Sequence, residues 1–243
     1  MQQKTHGIVL HALKYGDSSL IVKIFTQDFG LKSFMVKGFR SKTSNLRASL
    51  FMPLTLLTMD IGTSKTTSNF SVLKEANCHE PLHHLQSDFG KQAIALFMAE
   101  VLYKTIADEA AHEDLYYFIE GLLKFLNEAE SAPSIFPHYF LVRYSRYLGL
   151  FPHDDGELQS PFFDMRDGVF NKHQHLHSDF MMEEESRALK QLLEIPLSKL
   201  HELKMGNTLR NNLLVDLLQY YKIHLLNFRE IKSHLVLAEV LRG

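Results

Sequence analysis

Cysteine is almost missing from this chain: Cys78 is the only one among 243 residues. A single thiol excludes an intrachain disulfide framework and any zinc site built on several cysteines, and it fits a reduced, intracellular setting. No apolar run approaches the roughly 18 residues of a membrane span, and the opening MQQKTHGIVLHALK is too short in apolar residues for a secretory signal. Phosphate-cradling loops are missing too. Neither G-x-x-x-x-G-K-S/T nor G-x-G-x-x-G occurs, and Gly90-Lys91 stands alone, which argues against P-loop hydrolysis. No G-x-S-x-G elbow supports a serine hydrolase of that type. These absences predict a soluble, cytoplasmic protein with no membrane partner.

What is present is an ordinary globular balance, 45% hydrophobic and 22% charged, long enough for one or two domains. The net charge of −2 hides an asymmetry. Met1–Glu80 holds ten Lys and Arg against five Asp and Glu, and the other 163 residues hold 16 against 23. A basic head on an acidic body suits a polyanion-binding domain joined to a separate one, and it equally suits uneven surface charge with no partner.

The first eighty residues read as five strands: Gly7–Leu13, Ser19–Thr26, Leu31–Phe39, Leu50–Ile61 and Thr66–Ala76. Each is rich in β-branched and aromatic residues, and Gly16-Asp17, Phe29-Gly30 and Ile61-Gly62 suit the turns. FRSKTSNLRAS, between the third and fourth runs, reads as a polar, basic loop. Five short strands fit a small closed barrel; an OB-fold is the commonest such form that binds nucleic acid, and an SH3-like barrel fits the count nearly as well. After Pro81 the period changes to three and four, through Ile94, Phe97, Met98, Val101, Leu102 and Ile106, then Leu115, Ile119, Leu122 and Leu126, then Phe136, Phe140, Tyr144, Tyr147 and Leu148. A further helix carries Leu189, Leu192 and Leu193. The last and strongest follows Gly206, with Asn207 or Thr208 as cap and Leu209, Leu213, Leu214, Leu217, Leu218 and Leu225 on one stripe. FFDMRDGVFNKH reads as a hairpin turning at Asp167-Gly168. The expected fold is α+β: a five-stranded OB-fold barrel over 1–80 and an α-helical domain over 81–243, with a small β insertion at about 160–177.

Lys32, Lys37, Arg40, Lys42 and Arg47 fall within sixteen residues, with Phe34 and Phe39 interleaved and no acidic residue from Gly30 to Met59. Cations that track phosphates and rings that stack on bases hold single-stranded nucleic acid. Phe34 and Phe39 fit a barrel core as well as a stacking role. Tyr139, Arg143 and Arg146 are helical neighbours that suit an acidic, apolar peptide tail or a solvated helix edge. His79-Glu80-Pro81-Leu82-His83 matches the zinc-protease pattern H-E-x-x-H, but Pro81 disfavours the helix that would bring both histidines together. On a strand, His173, His175 and His177 would share a face and could share a metal; in a loop they are incidental. A metal-dependent hydrolase using these histidines, or a protein–protein adaptor whose barrel never meets nucleic acid, are the alternatives to a nucleic-acid-binding role.

The opening GIVLHALKYGDSSLIVKIFTQDFGLKSFMVKGFR resembles the N-terminal domain of the bacterial RecO recombination mediators. The likeness lies in the IVL strand, Tyr15-Gly16 followed by an acidic residue and serine, Phe25-Thr26 with Gly30 closing the hairpin, and Lys37-Gly38-x-Arg40 with Ser44. LFMPLTLLTMD resembles the family's fourth strand, and Tyr147-Leu148-Gly149 and Lys232-Ser233 extend the match. The resemblance implies an OB-fold followed by a helical domain. It implies binding of single- and double-stranded DNA, annealing of complementary strands, and loading of the recombinase onto DNA coated by single-stranded DNA-binding protein. It further implies action with RecR, docking of the acidic C-terminal tail of single-stranded DNA-binding protein, no bond-making activity, and work in the bacterial cytoplasm at the nucleoid. DNA contacts are expected at Lys37 and Arg40, with Phe39 between them in place of the usual small residue, and the charge argument adds Lys32, Lys42 and Arg47. Arg143, Arg146 and Lys190 are expected at the tail. Many members hold zinc through four cysteines, but Phe151–His177 has none, so the zinc is expected to be lost, the alternative being its replacement by the histidines, and no cofactor is expected.

Overall fold

β1 (Gln2–Tyr15) serves two partners, and its sequence shows how. Its first half pairs antiparallel with β4 (Leu56–Gly62), and its second half with β2 (Ser19–Thr26). β3 (Gly30–Lys37) continues from β2, and β5 (Val72–Glu80) from β4, in the order β3-β2-β1-β4-β5. A parallel bridge joins Phe34 to Ser71, where Ser71 N–H donates to the Ser33 carbonyl at 2.8 Å, so the β3 edge meets the β5 side and the sheet closes. This is the five-stranded OB barrel. The structure, a computed structural model, describes residues 2–39, 46–62, 70–106, 110–154, 161–173, 177–226 and 228–241.

Gly7 sits where β1 passes from one partner to the other, opposite both Thr26 and Leu57. A Cβ there would lie 2.6 Å from Ile24 Cγ2 and 2.7 Å from Met59 Cε, so only glycine lets the strands converge. A bulge between Val9 and His11 then bends the strand onward. Inside, Val9, Leu20, Val22, Ile24, Phe34, Val36, Leu57 and Met59 form the barrel core, with Phe51 filling one end.

The fourth apolar run behaves differently from expectation. Its first part is a 3-10 turn, Ala48–Phe51, and only Leu56 onward is strand. Leu54 has φ 61, unusual for a bulky residue. Its N–H donates to the Val9 carbonyl, and the Thr55 carbonyl accepts from Val9 N–H at 3.1 Å, which holds that conformation against β1. The fifth strand lies later than predicted, and part of the predicted run is outside the described residues.

Three helices follow the barrel: α1 (His83–Ser87), α2 (Phe89–Thr105) and α3 (Glu113–Glu128). The Asp88 side chain accepts from Lys91 N–H at 2.8 Å and caps α2, while Glu113 and Asp114 suit the positive end of α3. Every residue of the predicted stripes in α2 and α3 is buried. Lys91 is buried as well; its ammonium donates to the Asn127 carbonyl at 3.1 Å and to that of Ala129, against the negative end of α3. The helices pack on the barrel through Tyr116 beside Phe25 and Tyr103 stacked 4.5 Å from His11. The chain accordingly divides into compact units at Met1–Ser131 and Ala132–Gly243, later than the change from strand to helix near residue 80.

The second unit contains α4 (Phe136–Tyr144), β6 (Phe162–Asp164), β7 (Val169–Asn171), β8 (Phe180–Met181), α5 (Glu183–Glu194), α6 (Asn207–His224) and α7 (Ser233–Val240). The expected hairpin turns at Gly168, φ 72, and β8 adds a third strand beside β6. α6 starts at Asn207 with Gly206, rather than Asn207 or Thr208, in the cap position. Its core is partly polar. His138 is wholly buried and its Nε2 lies 2.7 Å from the Arg210 carbonyl; burial lowers its pKa to about 4, so the ring is neutral and donates. Tyr221 donates to the Leu141 carbonyl at 2.6 Å. Among the described residues no helix is long and apolar enough to cross a membrane.

Candidate nucleic-acid interface

Strand alternation sorts the expected cations. Phe34 and Val36 point into the barrel with no exposed surface, so Lys37 points outward and Lys32 shares the parity of the core. Lys37 is exposed at the end of β3, opposite Ser19; Lys32 is half-buried opposite Ile24 near the other end. Five residues of strand, about 16 Å, separate them. They therefore do not share one face. Arg47 is exposed and begins the 3-10 turn, where its carbonyl accepts from Leu50 N–H at 3.1 Å. Arg40 and Lys42 lie outside the described residues. Phe34 is core, and Phe39 packs half-buried against the same core, so the hydrophobic interior accounts for both rings.

The continuous register of β1, β2 and β3 builds rows across their outer face. Tyr15 lies opposite Ser19, which lies opposite Lys37; Leu13, Ile21 and Met35 form the next row, and His11, Lys23 and Ser33 the one after. Tyr103 stacks on His11 and closes this face at one end. Burial there lowers the His11 pKa. Beyond it Leu13 and Tyr15 are 56% and 55% exposed. This face thus presents exposed Tyr15, Leu13 and Lys37, with Ile21, Met35 and Lys23 half-buried among them. Neighbouring strands are about 4.8 Å apart, which puts Lys37 about 10 Å from Tyr15. Tyr15 and Lys23 escaped a reading by sequence stretch, because register rather than proximity along the chain brings them to Lys37. The signal was in β2: SLIVKIFT is apolar at both parities, so one side of it needs a cover or a ligand.

In the second unit the three expected tail contacts have internal partners. Arg143 donates to the Ile195 carbonyl at 2.7 Å and lies over the Tyr139 ring. Lys190 pairs with Asp154 at 3.3 Å and sits 4.5 Å from the Phe170 ring centre. Arg146 is exposed, with its guanidinium 3.9 Å over Phe151.

The histidine motifs do not assemble. His79 and Glu80 end β5 while His83 begins α1, so no helix carries the H-E-x-x-H pattern. His173 and His177 lie in bends between β7 and β8 rather than on a strand, and His175 is outside the described residues. His177 Nδ1 accepts from Asp179 N–H at 3.2 Å, which leaves its proton on Nε2, 3.2 Å from buried Asp164. Both ring nitrogens are engaged. With no cysteine from Phe151 to His177, and with Cys78 on β5, the donor set does not fit a four-thiolate zinc.

Residues 1–82 match the family model described as "Recombination protein O N terminal", and residues 86–233 match "Recombination protein O C terminal". A protein named "DNA repair protein RecO" from Phocaeicola vulgatus is 37% identical over 240 residues, 99% of each chain. The protein of that name from Bacteroides fragilis is 37% identical over 241 residues, and that from Flavobacterium psychrophilum 34%, each over 99% of both chains. The chain belongs to the RecO family of DNA repair and recombination proteins.

Proposed function

We propose that this chain is a recombination mediator that holds DNA on the outer face of β1, β2 and β3. The observation that carries this reading is the outer face on which Leu13, Ile21 and Met35 lie between the row of Tyr15 and Lys37 and the row of Lys23. Lysines neutralise phosphates and release counterions, while a ring and flat apolar side chains accept unstacked bases. Arg47, exposed after β3, adds a further cation, and Arg40 and Lys42, which precede it in the sequence, are DNA contacts by the resemblance and charge arguments alone. Double-stranded DNA is held through its phosphates alone. Annealing follows because neutralised strands repel less while their pairing edges remain open. The mediator works with RecR and helps load the recombinase onto DNA coated by single-stranded DNA-binding protein. The acidic tail of that protein is received in the second unit at Arg146, the most open of its three expected cations. No bond is made or broken by the chain itself, and its place of work is the bacterial nucleoid.

Mobility-shift titration with labelled single-stranded DNA, followed by annealing of two complementary labelled oligonucleotides, tests this reading. Binding that weakens steeply between 50 and 200 mM salt is expected, with log affinity falling about 0.7 per phosphate contact for each unit of log salt. Absence of binding at low salt contradicts the proposal and favours an adaptor.

A further inference from the structure

At the end of β5 a bulge re-aims one side chain. Leu57 pairs with Cys78 and Leu56 with Glu80, which leaves His79 as the extra residue. His79 Nε2 then lies 4.0 Å from Glu120 Oε1 of α3. Ligand atoms of His79, Glu80 and Glu120 all lie within 4.8 Å of one another, the only such group of three among the described residues. Glu120 is nearly covered, with a side chain 12% exposed. Behind His79 stands a polar support: Thr58 Oγ1 is 3.3 Å from His79 Nδ1 and 3.4 Å from His6 Nδ1, and the two imidazole rings are 4.3 Å apart. One hydroxyl can accept from His79 Nδ1–H while donating to His6 Nδ1. That arrangement leaves the His79 Nε2 lone pair facing Glu120, and it matches how metal-binding histidines are oriented from behind.

We propose that His79, Glu80 and Glu120 form a site for a divalent transition-metal ion of the zinc class, joining β5 to α3. One imidazole and two carboxylates suit such an ion, and three protein donors leave a position for water. Tetrahedral donors around zinc are about 3.4 Å apart, so rotation of the two glutamate side chains suffices. Lys124 is the competitor. Its ammonium lies 2.9 Å from Glu80 and 3.7 Å from Glu120, and these two carboxylates, Glu80 foremost, raise its pKa. The Lys124 side chain is 37% exposed and can swing into solvent when an ion enters. Without the ion, Lys124 supplies the positive charge that the two carboxylates need.

Calorimetric titration of the chelator-treated full chain with zinc alone tests the site. A His173→Gln/His177→Gln variant separates it from the other histidines. That variant is expected to bind as the wild type does. His79→Gln and Glu120→Gln are each expected to lose one equivalent of zinc, together with the zinc-dependent rise in Tm. Thr58→Val should weaken binding about tenfold, and Lys124→Met should tighten it about threefold. Equal stoichiometry in the wild type, His79→Gln and Glu120→Gln overturns the site. So does failure of both the wild type and Lys124→Met to take up zinc.

Discussion

The outer face of the barrel and the second unit use charged and polar side chains in opposite ways. On the barrel, Lys37 and Tyr15 are exposed on one face. In the second unit, Arg143, Lys190 and Arg210 turn inward: Arg210 donates to Ser134, Asn207 and the Leu241 carbonyl. Buried polar groups with satisfied partners fix an interior and are poorly placed to receive a ligand. Cations on an uncovered apolar face have the reverse property. A count of lysines and arginines therefore says little until each is assigned a partner.

The largest expected effect bears on the barrel core. Phe34→Ala should cost about 3–5 kcal/mol, because a fully buried ring at the closing bridge leaves a cavity. Phe39→Ala, at the rim, should cost far less in chemical denaturation. Equal costs would show that the barrel does not close at Phe34.

How much of this was legible follows from the residues themselves. The bounds of β2 could be read directly, because SLIVKIFT is flanked by turn residues on both sides. The start of β4 could not. LFMPLTLLTM is apolar throughout, and no period separates a strand from a turn that needs Leu54 at φ 61. The helical stripes were visible because packing follows the 3.6 period, whereas Lys91 and His138 are buried for hydrogen bonds that only the tertiary fold supplies. The odd spacing of Lys32 and Lys37 already implied two faces of one strand. What remained hidden was the register that sets Tyr15 and Lys23 beside Lys37, and the bulge that turns His79 toward Glu120. Both depend on pairing between strands.

A second effect, about half as large, concerns the second unit. His138 has its pKa lowered to about 4, so the unfolded chain binds the extra proton first and stability falls as pH drops from about 6.5 towards 4. Asp216 acts the other way. Burial, with Glu185 nearby, raises its carboxyl to about 6, a cost present above that pH and relieved by acid. Between pH 7 and pH 5, Asp216→Asn should lose about 2 kcal/mol and the wild type about 1, with the Asp216 contribution reduced for its partial exposure. Denaturant midpoints at the two pH values check this. Identical losses would mean that Asp216 titrates normally.

The smallest effect sharpens the contrast on the open face. Tyr15→Ala should leave stability within about 0.5 kcal/mol, yet weaken single-stranded DNA by about 1–2 kcal/mol through lost stacking. Thermal melts and binding isotherms on one preparation separate the two quantities.

The most direct measurement is the salt dependence of single-stranded DNA affinity in two sets of variants. For Lys23→Ala/Lys37→Ala/Arg47→Ala, the slope of log affinity against log salt should flatten by about 2, close to 0.7 for each phosphate contact removed. Arg143→Ala/Lys190→Ala should keep the wild-type slope. An unchanged slope in the first set, or an equal flattening in the second, would contradict the assignment of DNA binding to the barrel's outer face.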